Sequence, residues 1–346
     1  MIIVNARFLT QRVTGVQRFA IEISKVLRVL NDKIVFVAPR NILDMDLAKQ
    51  LDAITIGKNE GTIWEQVDLR YYLMSKGNPL LINFCNTGIL FYNKQIVTIH
   101  DMSYKVNPKW FTRQFYLWYN YLIPHIATRS LKIFTVSNSS KKDIIKHLKV
   151  SPDKISVIYN SSNLNTNNTF ESVNMEKYLL SVSSLDPRKN LNNLIRAFKE
   201  IDKDIRLIIV GLKKEKFTLN DDLTSGSHNI IIKNYVSDSE LGALMKHAEA
   251  FVYLSFYEGF GLPPIEAMSI GCPVLVSDIP AHREICGNAA LYANPNNVND
   301  IKNKIISLLN DNALKNELVL AGERNIKRFN WFNSGQSVLK YINEVI

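Results

Sequence analysis

The chain alternates short, continuous apolar runs with stretches of helical periodicity along its whole length. Residues 34–38, 80–84, 95–99 and 132–136 in the first half, and 178–182, 207–210 and 250–254 in the second, are apolar runs of four or five residues, with 274–276 a shorter one. Residues 1–7 also read as a strand. Strands apolar on both sides predict parallel sheets covered by helices on both faces. Leu191, Leu194, Ile195 and Phe198 recur at i, i+3, i+4 and i+7, which predicts an amphipathic helix over 191–199. Each half repeats the strand–helix rhythm. The predicted fold class is therefore α/β, with two Rossmann-like, doubly wound domains facing a central cleft and ligands beyond the carboxyl ends of the strands. Residues 160–174 are rich in Asn, Ser and Thr and nearly devoid of large apolar side chains, so they read as a linker with a break near residue 170.

Composition narrows the class. At 346 residues, with 46% hydrophobic and 21% charged side chains, the chain is an ordinary globular one of about two domains; disorder, collagen and coiled coil are excluded. No apolar run approaches the roughly 18 residues of a membrane span. The first residues lack the layout of a signal peptide, so a cytoplasmic location is expected. The three cysteines show no metal-ligand spacing, and Cys272 and Cys286 read as small core residues. The histidines other than His100, His282 included, read as ordinary packing or surface residues.

Charge adds more. The net charge is +10, from 42 basic and 32 acidic side chains. Residues 1–172 hold 22 basic and 12 acidic residues, and residues 173–346 hold 20 of each, so the whole excess lies in the first half. Such a field draws anionic partners: nucleic acid, a membrane surface or a phosphorylated substrate.

Two constellations carry candidate chemistry. Ser181-Val-Ser-Ser-Leu-Asp186-Pro-Arg188-Lys189-Asn190 runs from a strand into the 191–199 helix, with Asn190 as the expected N-cap. Arg188 and Lys189 then stand at the positive end of a helix, where a phosphate gains backbone donors and two cations; the plain alternative is ordinary surface charge. Tyr257-Glu258-Gly259-Phe260-Gly261-Leu262-Pro263-Pro264-Ile265-Glu266 places glycines about an aromatic and prolines at a helix start, with Gly271 as its left-handed stop. Two carboxylates beside a glycine turn suit a polyhydroxylated ligand. The alternatives are loop solvation for Glu258 and a dipole-favoured first-turn position for Glu266.

The 258–266 run, followed by Gly271-Cys-Pro-Val, Ser277-Asp-Ile-Pro280 and Glu284, resembles the donor site of glycosyltransferase family 4, a retaining family with the GT-B fold. Its hallmark is two glutamates separated by seven residues. The resemblance extends over nearly the whole chain, through Thr14-Gly15-Val-Gln-Arg18, His100-Asp101, the 135–144 segment, and Phe329-Asn-Trp331. Many members carry an arginine where this chain has Ser184. The resemblance implies an N-terminal acceptor-binding domain (1–170), basic and membrane-facing, and a nucleotide-sugar domain (171–330). It also implies a terminal helix (331–346) packed back on the first domain.

It also implies roles. Glu266 holds the ribose; Glu258 with the amides of Gly259, Phe260 and Gly261, beside Leu262, holds the donor sugar; Arg188 and Lys189 hold the diphosphate. His100 lies near the anomeric carbon, and Gly15 lets its loop close over the diphosphate or the acceptor. No Asp-x-Asp motif of the kind that bridges a metal to a diphosphate is found, so neither metal nor other cofactor is expected. Lys109, Trp110, Arg113, Arg129 and Lys132 are the candidates for the acceptor or the membrane, on or near an aromatic-rich helix that Pro124 kinks or ends; the alternative is an inward-packed core helix. The expected activity is transfer of a hexose, mannose from GDP-mannose first, to a polyprenyl-diphosphate-linked oligosaccharide in O-antigen or capsule assembly. It would take place at the cytoplasmic face of the inner membrane, with the protein peripherally associated. A UDP-hexose or dTDP-rhamnose donor and a nucleotide-sugar 2-epimerase are the alternatives. A nucleic-acid partner is not expected, because no recognition motif accompanies the charge.

Overall fold

The structure, a computed structural model, describes residues 1–164, 176–184, 186–201, 204–211, 228–234 and 236–346. The break expected near residue 170, and Leu185 of the basic constellation, lie outside these residues. The chain divides into two units, residues 1–160 with 330–346, and residues 161–329.

In the first unit seven strands form one parallel sheet in the order β3-β2-β1-β4-β5-β6-β7. They are β1 (Ile2–Asn5), β2 (Ile34–Ala38), β3 (Ile54–Thr55), β4 (Leu80–Asn83), β5 (Gln95–Thr98), β6 (Lys132–Thr135) and β7 (Ile155–Val157). In the second, six strands are ordered β10-β9-β8-β11-β12-β13. They are β8 (Tyr178–Val182), β9 (Arg206–Val210), β10 (Ile230–Lys233), β11 (Ala250–Tyr253), β12 (Val274–Ser277) and β13 (Leu291–Ala293). Ile3, Phe36, Leu81, Ile96 and Phe134 are buried in the first sheet, and Leu180, Ile208, Phe251 and Leu275 in the second, as continuous apolar strands require. Strand order reverses between β1 and β4 and between β8 and β11, which makes these pairs the switch points where α/β sheets open a crevice.

Helices cover the sheets through the faces their periodicity marks. In Leu191–Lys199 the residues Leu191, Leu194, Ile195 and Phe198 are all buried. The terminal helix Trp331–Asn343 belongs to the first unit and lies along Gly15–Leu30. Its Ser334 hydroxyl donates to the Tyr159 carbonyl (2.8 Å), and the Trp331 ring meets Phe19 edge-on at 6.3 Å. The two helices approach closely because residue 335 is glycine: a Cβ there would lie 2.3 Å from Val26 Cγ1 and 2.7 Å from Val26 Cβ.

Gly335→Ala sets two effects against each other. Helix propensity favours Ala by about 1 kcal/mol. Overpacking against a stiff β-branched neighbour costs about 1–3 kcal/mol. Net destabilisation is expected, read as an earlier midpoint in urea unfolding. An unchanged or later midpoint would show that the helices separate freely at this contact.

Candidate active site

In the second unit, β8 leads into a tight turn, Pro187–Lys189, capped by the Asp186 carboxylate, which accepts from the Arg188 amide at 3.0 Å. Asn190 stands at the N-cap position of the following helix, but its side chain makes no cap hydrogen bond. It sits in the left-handed region (φ 57°), and its side-chain amide donates to the Pro295 carbonyl at 2.7 Å. The side-chain cap is made by Asp186 on the turn itself, at the base of the two cations.

The loop after β11 is tied to this turn, because the Phe256 amide donates to the Arg188 carbonyl at 2.8 Å. Glu258 is thereby brought onto both cations. Lys189 Nζ lies 2.6 Å from its Oε1 and Arg188 Nη1 lies 3.2 Å from its Oε2. The Tyr253 hydroxyl donates to Oε1 at 3.0 Å and receives Lys189 Nζ at 2.5 Å. Arg188 Nη1 also donates to the Tyr257 carbonyl at 3.0 Å. Glu258 is only 8% exposed, so loop solvation does not describe it. Burial alone would raise its carboxyl, but Lys189 and then Arg188 outweigh that and hold it well below the usual carboxylate range. Burial draws the Lys189 ammonium down, while Glu258 pulls it the other way. Burial, with Glu258 next, raises the Tyr253 phenol well above its ordinary value. A buried pair of this kind is held by geometry and complete hydrogen bonding, not by net attraction alone.

The glycine turn closes beside this cluster. Gly261 has φ +94°, and a Cβ on it would stand 3.1–3.2 Å from the His282 ring. Glycine is needed there for both reasons. His282 lies in the helix Pro280–Cys286 and is fully buried; its Nδ1 donates to the Ser277 carbonyl at 3.1 Å, and among the described residues its Nε2 has no hydrogen-bond partner. Gly259 and Leu262 are buried, and the Phe260 ring turns inward onto Phe329 (5.6 Å, edge-on), so residue 260 offers a ligand its backbone. Helix Leu262–Ser269 starts on Pro263 and Pro264, and Gly271 (φ +78°) follows it in the left-handed region. Glu266 is the fifth residue of this helix, beyond the first turn, so a first-turn dipole preference does not account for it. Arg283 is engaged elsewhere, bidentate with Asp278 at 2.7 Å and over the Tyr292 ring. Cys272 and Cys286 are buried and free.

In the first unit, His100 follows β5. Its Nε2 donates to the Phe84 carbonyl at 2.7 Å, the Phe19 ring meets it edge-on at 5.1 Å, and burial lowers its basicity. A neutral imidazole protonated at Nε2 keeps a lone pair on Nδ1. Gly15 is the exposed first residue of its helix, and a Cβ there would meet nothing within 4 Å. Helix Arg113–Arg129 runs through Pro124 without ending. Its far half is core, through Leu122, Ile123, Ile126 and Ala127. Near its start Phe111, Phe115 and Tyr119 stack on one another, and Leu117 and Tyr121 are exposed. Lys109, Arg113 and Arg129 are exposed and Trp110 is half-buried. Lys132 departs from its expected place in this group: it pairs with Glu344 at 3.2 Å and lies over the Tyr341 ring, which ties it to the terminal helix. Among the described residues no helix is long and apolar enough to cross a membrane.

The structure therefore joins Arg188, Lys189 and Glu258, which sequence reasoning gave separate partners, and adds Tyr253 and His282. Tyr253 had one signal, a hydroxyl ending an otherwise apolar strand. His282 had none beyond its residue type.

Residues 13–165 match the family described as Glycosyltransferase Family 4, and residues 165–325 match Glycosyl transferases group 1. The chain is 34% identical over 229 residues to the O-antigen chain mannosyltransferase RfbU of Salmonella typhimurium, covering 64% of this chain and 63% of that one. It thus spans less than two thirds of that relative's length. It is 30% identical over 257 residues to the O-antigen chain mannosyltransferase B of Escherichia coli, covering 69% and 68%. The crystal structure of HepE from Anabaena, in complex with UDP and glucose, superposes with a TM-score of 0.77 over 99% of this chain and 100% of that one, at 16% identity. The two parallel sheets and their helices place the fold in the GT-B class. More narrowly, the chain belongs to the family 4 glycosyltransferases.

One pH effect follows from His282. Burial first of all pushes its imidazole from the usual 6.5 down to about 4. The unfolded chain takes up a proton as pH falls through 6.5, and the native state does not until about pH 4. The stability this group confers is present above pH 6.5 and is lost between 6.5 and 4, at up to about 1.4 kcal/mol per pH unit. His282→Asn should flatten the fall of the melting temperature across that window. Parallel wild-type and variant profiles would refute the assignment.

Proposed function

We propose that this glycosyltransferase moves mannose from GDP-mannose, with retention and without metal, onto a polyprenyl-diphosphate-linked oligosaccharide during O-antigen or related surface-polysaccharide assembly. It works peripherally at the cytoplasmic face of the membrane. The observation that carries the donor half of this reading is the buried cluster of Lys189, Arg188 and Glu258, two cations fixed by a carboxylate beside a glycine turn. Mannose and O-antigen are supported by the names of the two relatives. The lipid-linked acceptor and the membrane surface are supported by a basic excess confined to the first half and by the exposed Lys109, Arg113 and Arg129.

In this reading the bond from the anomeric carbon to the diphosphate breaks, and a bond to the acceptor hydroxyl oxygen forms on the same face. The hydroxyl proton passes to the departing diphosphate. Arg188 and Lys189 are charged before reaction begins and offset the charge growing on that group, which is preorganised electrostatic stabilisation. Glu258 keeps them in place and accepts from sugar hydroxyls, Glu266 accepts from the ribose, and the Nδ1 lone pair of His100 accepts from the donor sugar. Gly15 leaves room for the diphosphate or the acceptor. The cation pair supplies what a bridging metal otherwise would.

A thermal-shift screen with GDP, UDP and dTDP and their sugar conjugates, in EDTA and in Mg²⁺, tests the donor assignment. A selective rise with GDP in EDTA is expected. UDP is the second base to compare, since HepE was solved with it. A rise that needs Mg²⁺ would overturn metal independence. Lys189→Ala should cut turnover by roughly two to three orders of magnitude; near-normal turnover would place the phosphate site elsewhere. Glu266→Ala should weaken binding of free GDP, and unchanged affinity would remove it from the ribose.

A further inference from the structure

A second buried carboxylate lies in the first unit, at the switch point of its sheet. Asn5 ends β1, Asn83 ends β4, and the two are register partners. Their side chains are joined, Asn5 Nδ2 donating to Asn83 Oδ1 at 2.9 Å, and Asn83 Nδ2 continues to Gln95 Oε1 at 3.2 Å. Asn5 Nδ2 also donates to Glu65 Oε1 at 2.8 Å, and the Thr87 hydroxyl donates to Glu65 Oε2 at 2.7 Å. Arg7 Nε completes the set at 3.0 Å from Glu65 Oε1. Glu65 is fully buried and opens a π-helical turn, Glu65–Leu69, set between the helical segments Gly61–Trp64 and Arg70–Ser75. Turns of that type are costly and recur at functional sites.

Stability does not account for this arrangement. An ion pair beneath an apolar sheet is commonly no better than well-packed hydrophobic residues of the same volume. What the network does achieve is orientation. Glu65 is paired with Arg7 at Nε. The side chain of Arg7 keeps 16% of its surface exposed, and among the described residues Glu65 is the charged partner it meets. A guanidinium held this way presents two parallel donors, the geometry that matches paired phosphoryl oxygens.

We propose that Arg7, held in position by Glu65, binds phosphoryl oxygens of a lipid diphosphate at the carboxyl ends of β1 and β4. Resting on the reading above, this assigns the diphosphate of the acceptor to a named residue. Arg7 touches the ligand; Glu65 acts through Arg7 and is a positioning residue.

The test is a binding titration on the full chain saturated with GDP, so that the cations of the second unit are occupied. The probes are geranyl diphosphate and inorganic diphosphate. Arg7→Gln leaves Glu65 buried without its cation and risks misfolding, so the double variant Arg7→Gln/Glu65→Gln, which removes both charges, is measured beside it, together with Glu65→Gln. Geranyl diphosphate is expected to bind wild type and to bind the double variant at least ten-fold more weakly. GDP affinity on the same samples should be unchanged, which a merely structural role would not allow. Wild-type affinity for geranyl diphosphate in the double variant overturns the proposal. Equal, Arg7-dependent binding of inorganic diphosphate overturns the lipid as its source. In transfer assays Glu65→Gln should raise the acceptor KM with the donor KM held; equal rises in both would refute its positioning role. The titration needs no turnover, so a chain that transfers nothing fails the functional reading while this one is still decided by Arg7.

Discussion

A carboxylate buried at the end of a parallel sheet must be met by cations and donors at fixed positions, and much of this protein's local architecture answers that constraint. Glu258 is only 8% exposed and ionised, so the turn Pro187–Lys189 has to deliver two cations within 3.2 Å of it. That delivery explains why Asp186 caps the turn, why Asn190 is left-handed and bound to Pro295, and why the Phe256 amide is fastened to the Arg188 carbonyl. Each of these details would be arbitrary in a loop whose only task was to join a strand to a helix.

The same constraint is met differently in the first unit. Glu65 has one arginine and two neutral donors, and its network spreads sideways through Asn5, Asn83 and Gln95 across β1, β4 and β5. Sheets that are otherwise continuous in Val, Ile, Leu and Phe thus carry their polar groups at the ends of the strands. Strand dipoles, open backbone groups and loop side chains converge there, and the chemistry is built there.

Much of the fold was legible from the chain alone. Apolar runs marked the interior strands because those strands are buried on both faces, and the spacing of Leu191, Leu194, Ile195 and Phe198 marked a helix face that is indeed buried. The strands that escaped are β3, β7, β10 and β13, which are the four sheet edges. An edge is covered on fewer sides, so its sequence need not be uniformly apolar: Ile54 and Thr55 are exposed, and Ile232 is 41% exposed. The pattern that reveals a strand is thus the record of its burial, and it fades where burial does.

The site divides in the same way. Glu258, Arg188, Lys189 and the glycines of the 259–261 turn could be named because carboxylates, cations and glycines beside a strand end are local features, contiguous in sequence. Glu65, Asn5 and His282 could not, because nothing near them in the chain distinguishes them from ordinary residues, and Tyr253 showed only as a hydroxyl at the end of an apolar run. Lys132 looked like its basic neighbours until the terminal helix brought Glu344 to it across 212 positions. By itself the sequence determined which interior segments are strands and where short-range chemistry is concentrated, since both follow from periodicity and local spacing. Only the tertiary structure decided which charges neutralise one another, because an ion pair is set by distance and dielectric, and residues far apart in the chain acquire both only when it has folded.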